Sequence, residues 1–147
     1  MVIQSYRDLL VWQKSMDLVA EIYCLAKLFP REEQFGLISQ IQRAAVSVPA
    51  NIARGHGRIY KADFLRHLSI ARGSFSEVKT YVKIAVRLKY VEREQVKDAW
   101  ALMQEVGRLL NGLIRSMGKA SRNPSTNNRI FEETDSYEPD FPDLPNP

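Results

Sequence analysis

Cysteine is nearly absent: Cys24 stands alone in 147 residues. No intrachain disulfide can form, and no zinc site made of several thiolates can be assembled. A lone thiol fits a reducing compartment, and the cytoplasm is the expected location. Histidine is almost as scarce, with only His56 and His67. No His-x-x-x-His and no Glu-x-x-His pair occurs, so metal-ligand spacing is missing and neither a metal nor a cofactor is expected. His67 and Ser74 lie seven residues apart on one helix face, but no carboxylate is placed to orient the imidazole. A nucleophilic site needs nucleophile, base and orienter within hydrogen-bond reach, so catalysis is not expected. No stretch approaches the ~18 apolar residues of a membrane span. The start, MVIQSYRDLL, lacks a basic segment followed by a long apolar run, so no signal peptide is expected.

Against those absences, 45% hydrophobic and 26% charged residues describe an ordinary globular chain of one domain. Residues 1–118 hold 18 Lys and Arg against 11 Asp and Glu, a net of +7. Residues 119–147 hold three basic and six acidic side chains, a net of −3. A basic body of residues 1–118 thus carries an acidic tail of residues 119–147, rich in Pro and Asn. The body suggests an anionic partner, or else a soluble surface that happens to be basic. The tail composition predicts disorder in isolation. Its Phe131, Tyr137, Phe141 and Leu144 offer apolar points for docking, unless the tail is simply solvated.

Four helices are predicted, and no strand signal of any length is found. Helix 1 spans Asp8 to Leu28, with Asp8 as N-cap. Trp12, Met16, Val19, Tyr23 and Ala26 form one seam, and Leu18, Ile22, Leu25 and Phe29 a second beside it. Pro30 ends it. Helix 2 begins near Gln34 to Leu37 and carries Leu37, Ile41, Ala44, Ala45, Val48 and Ile52. Pro49 should kink it without stopping it, because Ile52 keeps the register of Ala45 and Val48. Gly55 and Gly57 are expected to end it. Helix 3 spans Tyr60 to Leu88, with Phe64, Leu68, Ala71, Phe75, Val78, Val82 and Ala85 in unbroken four-three alternation. Helix 4 spans Glu92 to Met117 with a like pattern from Val96 to Met117, and Gly118 as its stop. Cys24 reads as a small buried apolar residue. Long helices with short connections imply an all-α, up-down-up-down four-helix bundle.

The bundle has more apolar surface than one core needs. On helix 3 a second line runs through Ile70, Ser74, Glu77, Tyr81, Ile84 and Leu88. Either a wide stripe serves one thick core, or a homo-oligomer covers Ile70, Tyr81, Ile84 and Leu88. Glu77 sits in that line and should not be buried alone. Arg43, or donors near Ser47, are its expected partners, with a structural role in fixing register.

The segment RAAVSVPANIARGHGR, residues 43–58, has bases and glycines but lacks the Gly-Lys-Ser/Thr of a phosphate-binding P-loop. Gly55 and Gly57 turn the chain. Beyond that, Arg54, Arg58 and Lys61 crowd the N-terminus of helix 3, where the helix dipole is positive. Arg72, Lys79, Lys83 and Arg87 form a second basic set along helix 3. It is either a solvated face or a phosphate track. No aromatic residues are interleaved with that second set, so base stacking is not expected. Binding through these seven residues would be backbone-driven and strongly salt-dependent.

YRDLLVWQKSMDLVAEIY, FPREEQFGLISQIQRAAVSVPANIARG, FLRHLSIARGSFSEVKT and GRLLNGLIRSM occur in this order between about residues 5 and 118. Together they resemble the bacterial four-helix-bundle proteins encoded within 23S rRNA intervening sequences. That family is similar to the accessory variability determinant of diversity-generating retroelements, a barrel-shaped homopentamer that binds nucleic acid and a reverse transcriptase. The resemblance implies a ring-like homopentamer with a basic rim, a nucleic-acid partner such as RNA or a DNA/RNA hybrid, and a reverse transcriptase as protein partner. Two departures both add basic charge. Arg54 stands where the family has Glu in Asn-Ile-Ala-Glu-Gly, and Lys79 replaces the second Glu of Ser-Glu-Leu-Glu. The acidic tail is likewise outside the pattern. The sequence therefore supports a non-catalytic basic scaffold for nucleic acid, with a protein-only adaptor as the alternative.

Overall fold

The computed structural model describes residues 4–119. A 3-10 turn at Tyr6–Asp8 leads into α1, Leu10–Ala26. A second 3-10 turn, Arg31–Glu33, precedes α2, Leu37–His56; α3 is Lys61–Arg87 and α4 is Arg93–Lys119. There is no strand among the described residues. Each helix packs on the next and α4 returns against α1, so the four surround a single core. Among the described residues no helix is long and apolar enough to cross a membrane. The acidic tail and its four apolar points lie outside the described residues.

The long alternation on α3 becomes core as its spacing dictates. Leu68, Ala71, Phe75, Val78, Val82 and Ala85 are buried, and Phe64 is half-buried at the end of the row. On α4, Val96, Ala99, Met103, Val106 and Leu110 are buried likewise. On α1 the core takes Leu18, Ile22 and Leu25, and Phe29 joins it from the connection after the helix. The other seam faces outward in part, with Met16 and Tyr23 exposed. Cys24 is exposed, not buried, because it follows Tyr23 around the outer face of α1.

Asp8 does not cap α1. It closes a capping box one turn earlier: Arg7 N–H donates to Ser5 Oγ at 3.1 Å, and Ser5 N–H donates to Asp8 Oδ2 at 3.1 Å. Pro49 lies inside α2, buried, and the helix continues past it. Gly55 does not end α2, which runs through it to His56 with Gly57 as C-cap. Gly55 is a packing glycine. A Cβ there would stand 2.7 Å from His67 Cβ and 2.9 Å from Phe64 Cδ2, so α2 and α3 touch where a side chain has no room. α4 also passes through Gly118 to Lys119.

The turn after α3 is a Schellman closure. Tyr90 N–H reaches Ala85 O, Lys89 N–H reaches Val86 O, and Lys89 takes φ 61. Tyr90 then returns to the other end of the chain. Its hydroxyl donates to Glu33 Oε1 at 3.3 Å, while Glu33 Oε2 accepts Leu37 N–H at 2.7 Å. One carboxylate therefore caps α2 and holds the α3–α4 turn beside it. Burial, and next the Glu33 charge, push the Tyr90 phenol upward.

Candidate nucleic-acid interface

A chain of polar side chains crosses the contact between α2 and α3. Ser74 Oγ donates to Ser47 Oγ at 2.8 Å. Asn51 Nδ2 donates to the Ser47 carbonyl and to Ser47 Oγ, both at 2.9 Å. Asn51 Oδ1 lies 3.3 Å from His67 Nδ1, a bond that requires the proton on that nitrogen. Asn51, His67 and Ser74 are all buried. Pairs 51–67 and 47–74 run in opposite directions along the two helices, which makes them antiparallel and fixes one register. Buried polar groups must be matched, so a slip of either helix would strand several at once. Burial is the largest influence lowering the His67 pKa, followed by the positive charges of Arg66, Arg58 and Arg54; Asp63 opposes them. The orienting partner of His67 is thus an amide, and the ring sits in a positive field.

That register places the first basic set. Arg54 ends α2, while Arg58 and Lys61 flank the turn, and all three are exposed. The turn is closed by Gly57 N–H to Ala53 O at 3.3 Å and Arg58 N–H to Gly55 O at 3.0 Å. The His56 and Phe64 rings meet edge-on across it at 5.6 Å. Arg66, absent from the sequence-based set, is exposed and joins this group electrostatically around His67. Its signal was adjacency: the residue before a buried histidine on a helix points about 100° away from the packed face. The positive end of the α3 dipole adds to the same field.

The second basic set is separate. At 1.5 Å per residue, Lys61 and Arg87 stand about 39 Å apart along α3. The seven sequence-predicted residues therefore form an end cluster and a stripe, not one patch. Arg72, Lys79 and Lys83 are half-buried and Arg87 is exposed. Lys79 Nζ lies 5.1 Å from the centre of the Phe75 ring. Burial, and then the charge of Lys83, lower its pKa to about 8. Lys79 thus gives up its charge at a lower pH than an ordinary lysine.

The expected oligomer line also divides. Ile70, Ile84 and Leu88 are exposed, and Tyr81 is half-buried. Ser74 in the same line belongs to the buried polar chain. Glu77 is exposed and pairs with neither Arg43 nor Ser47; it accepts from Tyr81 Oη at 3.2 Å, one turn along its own helix. Burial first, and Glu77 next, raise the Tyr81 phenol. Alongside, Tyr23, Arg43, Val46, Ala50 and Arg54 line an open groove of about 540 Å³ between α1 and α2. Among the described residues, no three His, Cys, Asp or Glu side chains gather where a metal ion would sit.

Residues 7–112 match the family described as 23S rRNA-intervening sequence protein. A solved structure from Bacteroides thetaiotaomicron VPI-5482, described as a protein with unknown function from the S23 ribosomal protein family, is similar to this chain. It is 29% identical, with a TM-score of 0.67, over 72% of this chain and 99% of that one. No curated protein matches this chain.

Proposed function

This chain belongs to the 23S rRNA-intervening sequence protein family, and on that premise we propose that it is a non-catalytic, homo-oligomeric scaffold that binds RNA or a DNA/RNA hybrid through phosphate contacts. The carrying observation is the gathering of Arg54, Arg58 and Arg66 around His67 at the α2–α3 end, with Lys61 beside them. Phosphate is the ligand that this many cations recognise without a shaped pocket. The exposed apolar side chains Ile70, Ile84 and Leu88 support self-association, in which each copy covers the same patch. A pentamer, a reverse transcriptase as protein partner and a cytoplasmic location are the finer form of this reading. They rest on the resemblance of the four helical blocks.

The test is a titration of the full chain against structured RNA and duplex DNA at several salt concentrations. Arg54→Glu/Arg58→Glu and Lys79→Glu/Lys83→Glu are titrated in parallel. Binding that falls steeply with salt and drops at least ten-fold in Arg54→Glu/Arg58→Glu supports the reading. Absence of binding by the unaltered protein at low salt overturns it in favour of a protein-only adaptor. Light scattering tests assembly: roughly five times the 16.9 kDa chain mass is expected, and a monomer refutes the ring.

A further inference from the structure

We propose that the α2–α3 turn is a stacking platform for an unpaired base, so that the ligand is single-stranded nucleic acid held by Tyr60 between Arg58 and Lys61. This rests on the phosphate-binding reading above and narrows it.

Ile59 is 93% exposed and Tyr60 71% exposed. A single exposed apolar side chain needs no explanation. Here two large ones follow each other at the tip of a turn, with a cation on either side in the chain. Arg54 and Arg66, both exposed, act together with Arg58 on the nearby His67. The backbone at the tip is tied to α3. Tyr60 is the N-cap of α3 with an extended backbone, φ −96 and ψ 133, and its carbonyl accepts Asp63 N–H at 3.1 Å and Phe64 N–H at 3.2 Å. Behind it, Gly55 presses on Phe64 and His67. A ring presented on a fixed backbone loses little freedom on binding.

An aromatic face among cations matches the chemistry of one nucleotide: a flat base with a phosphate on each side. A duplex hides its base faces in its own stack, so it meets the cations but gains nothing from the ring. Lipid is a poorer match, because surface-bound helices use a whole apolar face and this tip offers two side chains. This departs from the sequence-based expectation of no stacking, which rests on the α3 stripe and does not weigh the exposed Tyr60. The aromatic group lies with the other basic set.

The test measures the affinity of the full chain for a short labelled oligouridylate and for a blunt RNA duplex at one salt concentration. Anionic phosphatidylserine vesicles serve as a third probe. Tyr60→Ala should weaken oligouridylate binding about ten-fold, Tyr60→Phe should keep it, and neither should change duplex binding. Tyr60→Leu should behave like Tyr60→Ala, since bulk without a π face does not stack. If Tyr60→Ala binds oligouridylate like the unaltered protein while Arg54→Glu/Arg58→Glu loses it, stacking is overturned and phosphate binding stands. If the unaltered protein binds neither RNA, both readings fall together. If Tyr60→Ala loses vesicle binding with oligouridylate binding intact, the tip meets lipid instead.

Discussion

Gly55→Ala and Gly73→Ala make the same chemical change on packed helices and should move stability in opposite directions. A methyl at Gly55 falls 2.7 Å from His67 Cβ and 2.9 Å from Phe64 Cδ2. Carbon atoms ordinarily keep about 3.5–4.0 Å, so the overlap is close to 1 Å. His67 Cβ is fixed to the α3 backbone and its ring is tied to Asn51, so no flexible chain end can swing aside. The two helices must part. Overpacking of this kind costs about 1–3 kcal/mol. Set against the ~1 kcal/mol that alanine gains over glycine inside a helix, this leaves Gly55→Ala losing up to about 2 kcal/mol. A methyl at Gly73 meets nothing within 4 Å. There only the helix preference acts, and about 0.5–1 kcal/mol is gained. Urea unfolding followed by circular dichroism, at one protein concentration, reads the resulting gap of up to about 3 kcal/mol. Gly55→Ala at or above Gly73→Ala in stability would refute close approach as the role of Gly55.

Three further outcomes are expected. His67 titrates below its unfolded value of 6.5 because burial disfavours the charged ring. The unfolded chain then binds more protons in that window, so stability rises with pH and is complete above about 6.5. Melting temperature should fall as the pH drops from 7 to 5, with a shallower fall in His67→Gln; parallel curves would remove His67 as the cause. Asn51→Ala strips His67 of its acceptor and removes one of the two donors to Ser47 Oγ, and should cost about 1–3 kcal/mol in urea unfolding. A change under ~0.5 kcal/mol would show that the polar chain does not hold α2 on α3. Lys79, with its pKa lowered to about 8 against 10.5 unfolded, binds fewer protons folded than unfolded between those values. Its contribution to stability therefore rises with pH from about 8 to 10.5, while its charge in the α3 stripe fades. Duplex affinity through that stripe should weaken from pH 7 to 9, and Lys79→Arg should abolish this weakening; equal pH profiles would exclude Lys79 from the contact.

The helices are legible where one pattern dominates. On α3 the seam from Phe64 to Ala85 is unbroken while the second line is interrupted by Ser74 and Glu77. The observed Lys61–Arg87 differs from the expected Tyr60–Leu88 by one residue at each end. Legibility fails where two patterns compete. α1 offers two seams of similar hydrophobicity, and only the positions of α2 and α4 decide that Leu18 and Ile22 go inside while Tyr23 and Cys24 face out. Gly55 fails for a different reason. A glycine near a helix end reads as a stop, and a glycine at a helix crossing looks the same in one dimension. Glu77 had a partner one turn away in Tyr81, which needs no tertiary contact, yet its position in the second line suggested burial. In the candidate interface, Arg54, Arg58 and Lys61 were legible from charge near a turn. Arg66, the exposure of Tyr60 and the Asn51–His67 bond arise only once α2 lies against α3.

The most direct test is the salt dependence of single-stranded RNA binding, compared between the unaltered chain and Arg54→Gln/Arg58→Gln. Each phosphate contact adds about 0.7 to the slope of log K against log salt for a single strand. If the end cluster holds phosphates, the double variant should bind more weakly and its slope should shrink by about 1.4. An unchanged slope, with the unaltered protein still binding, would place the nucleic-acid contact somewhere other than the α2–α3 end.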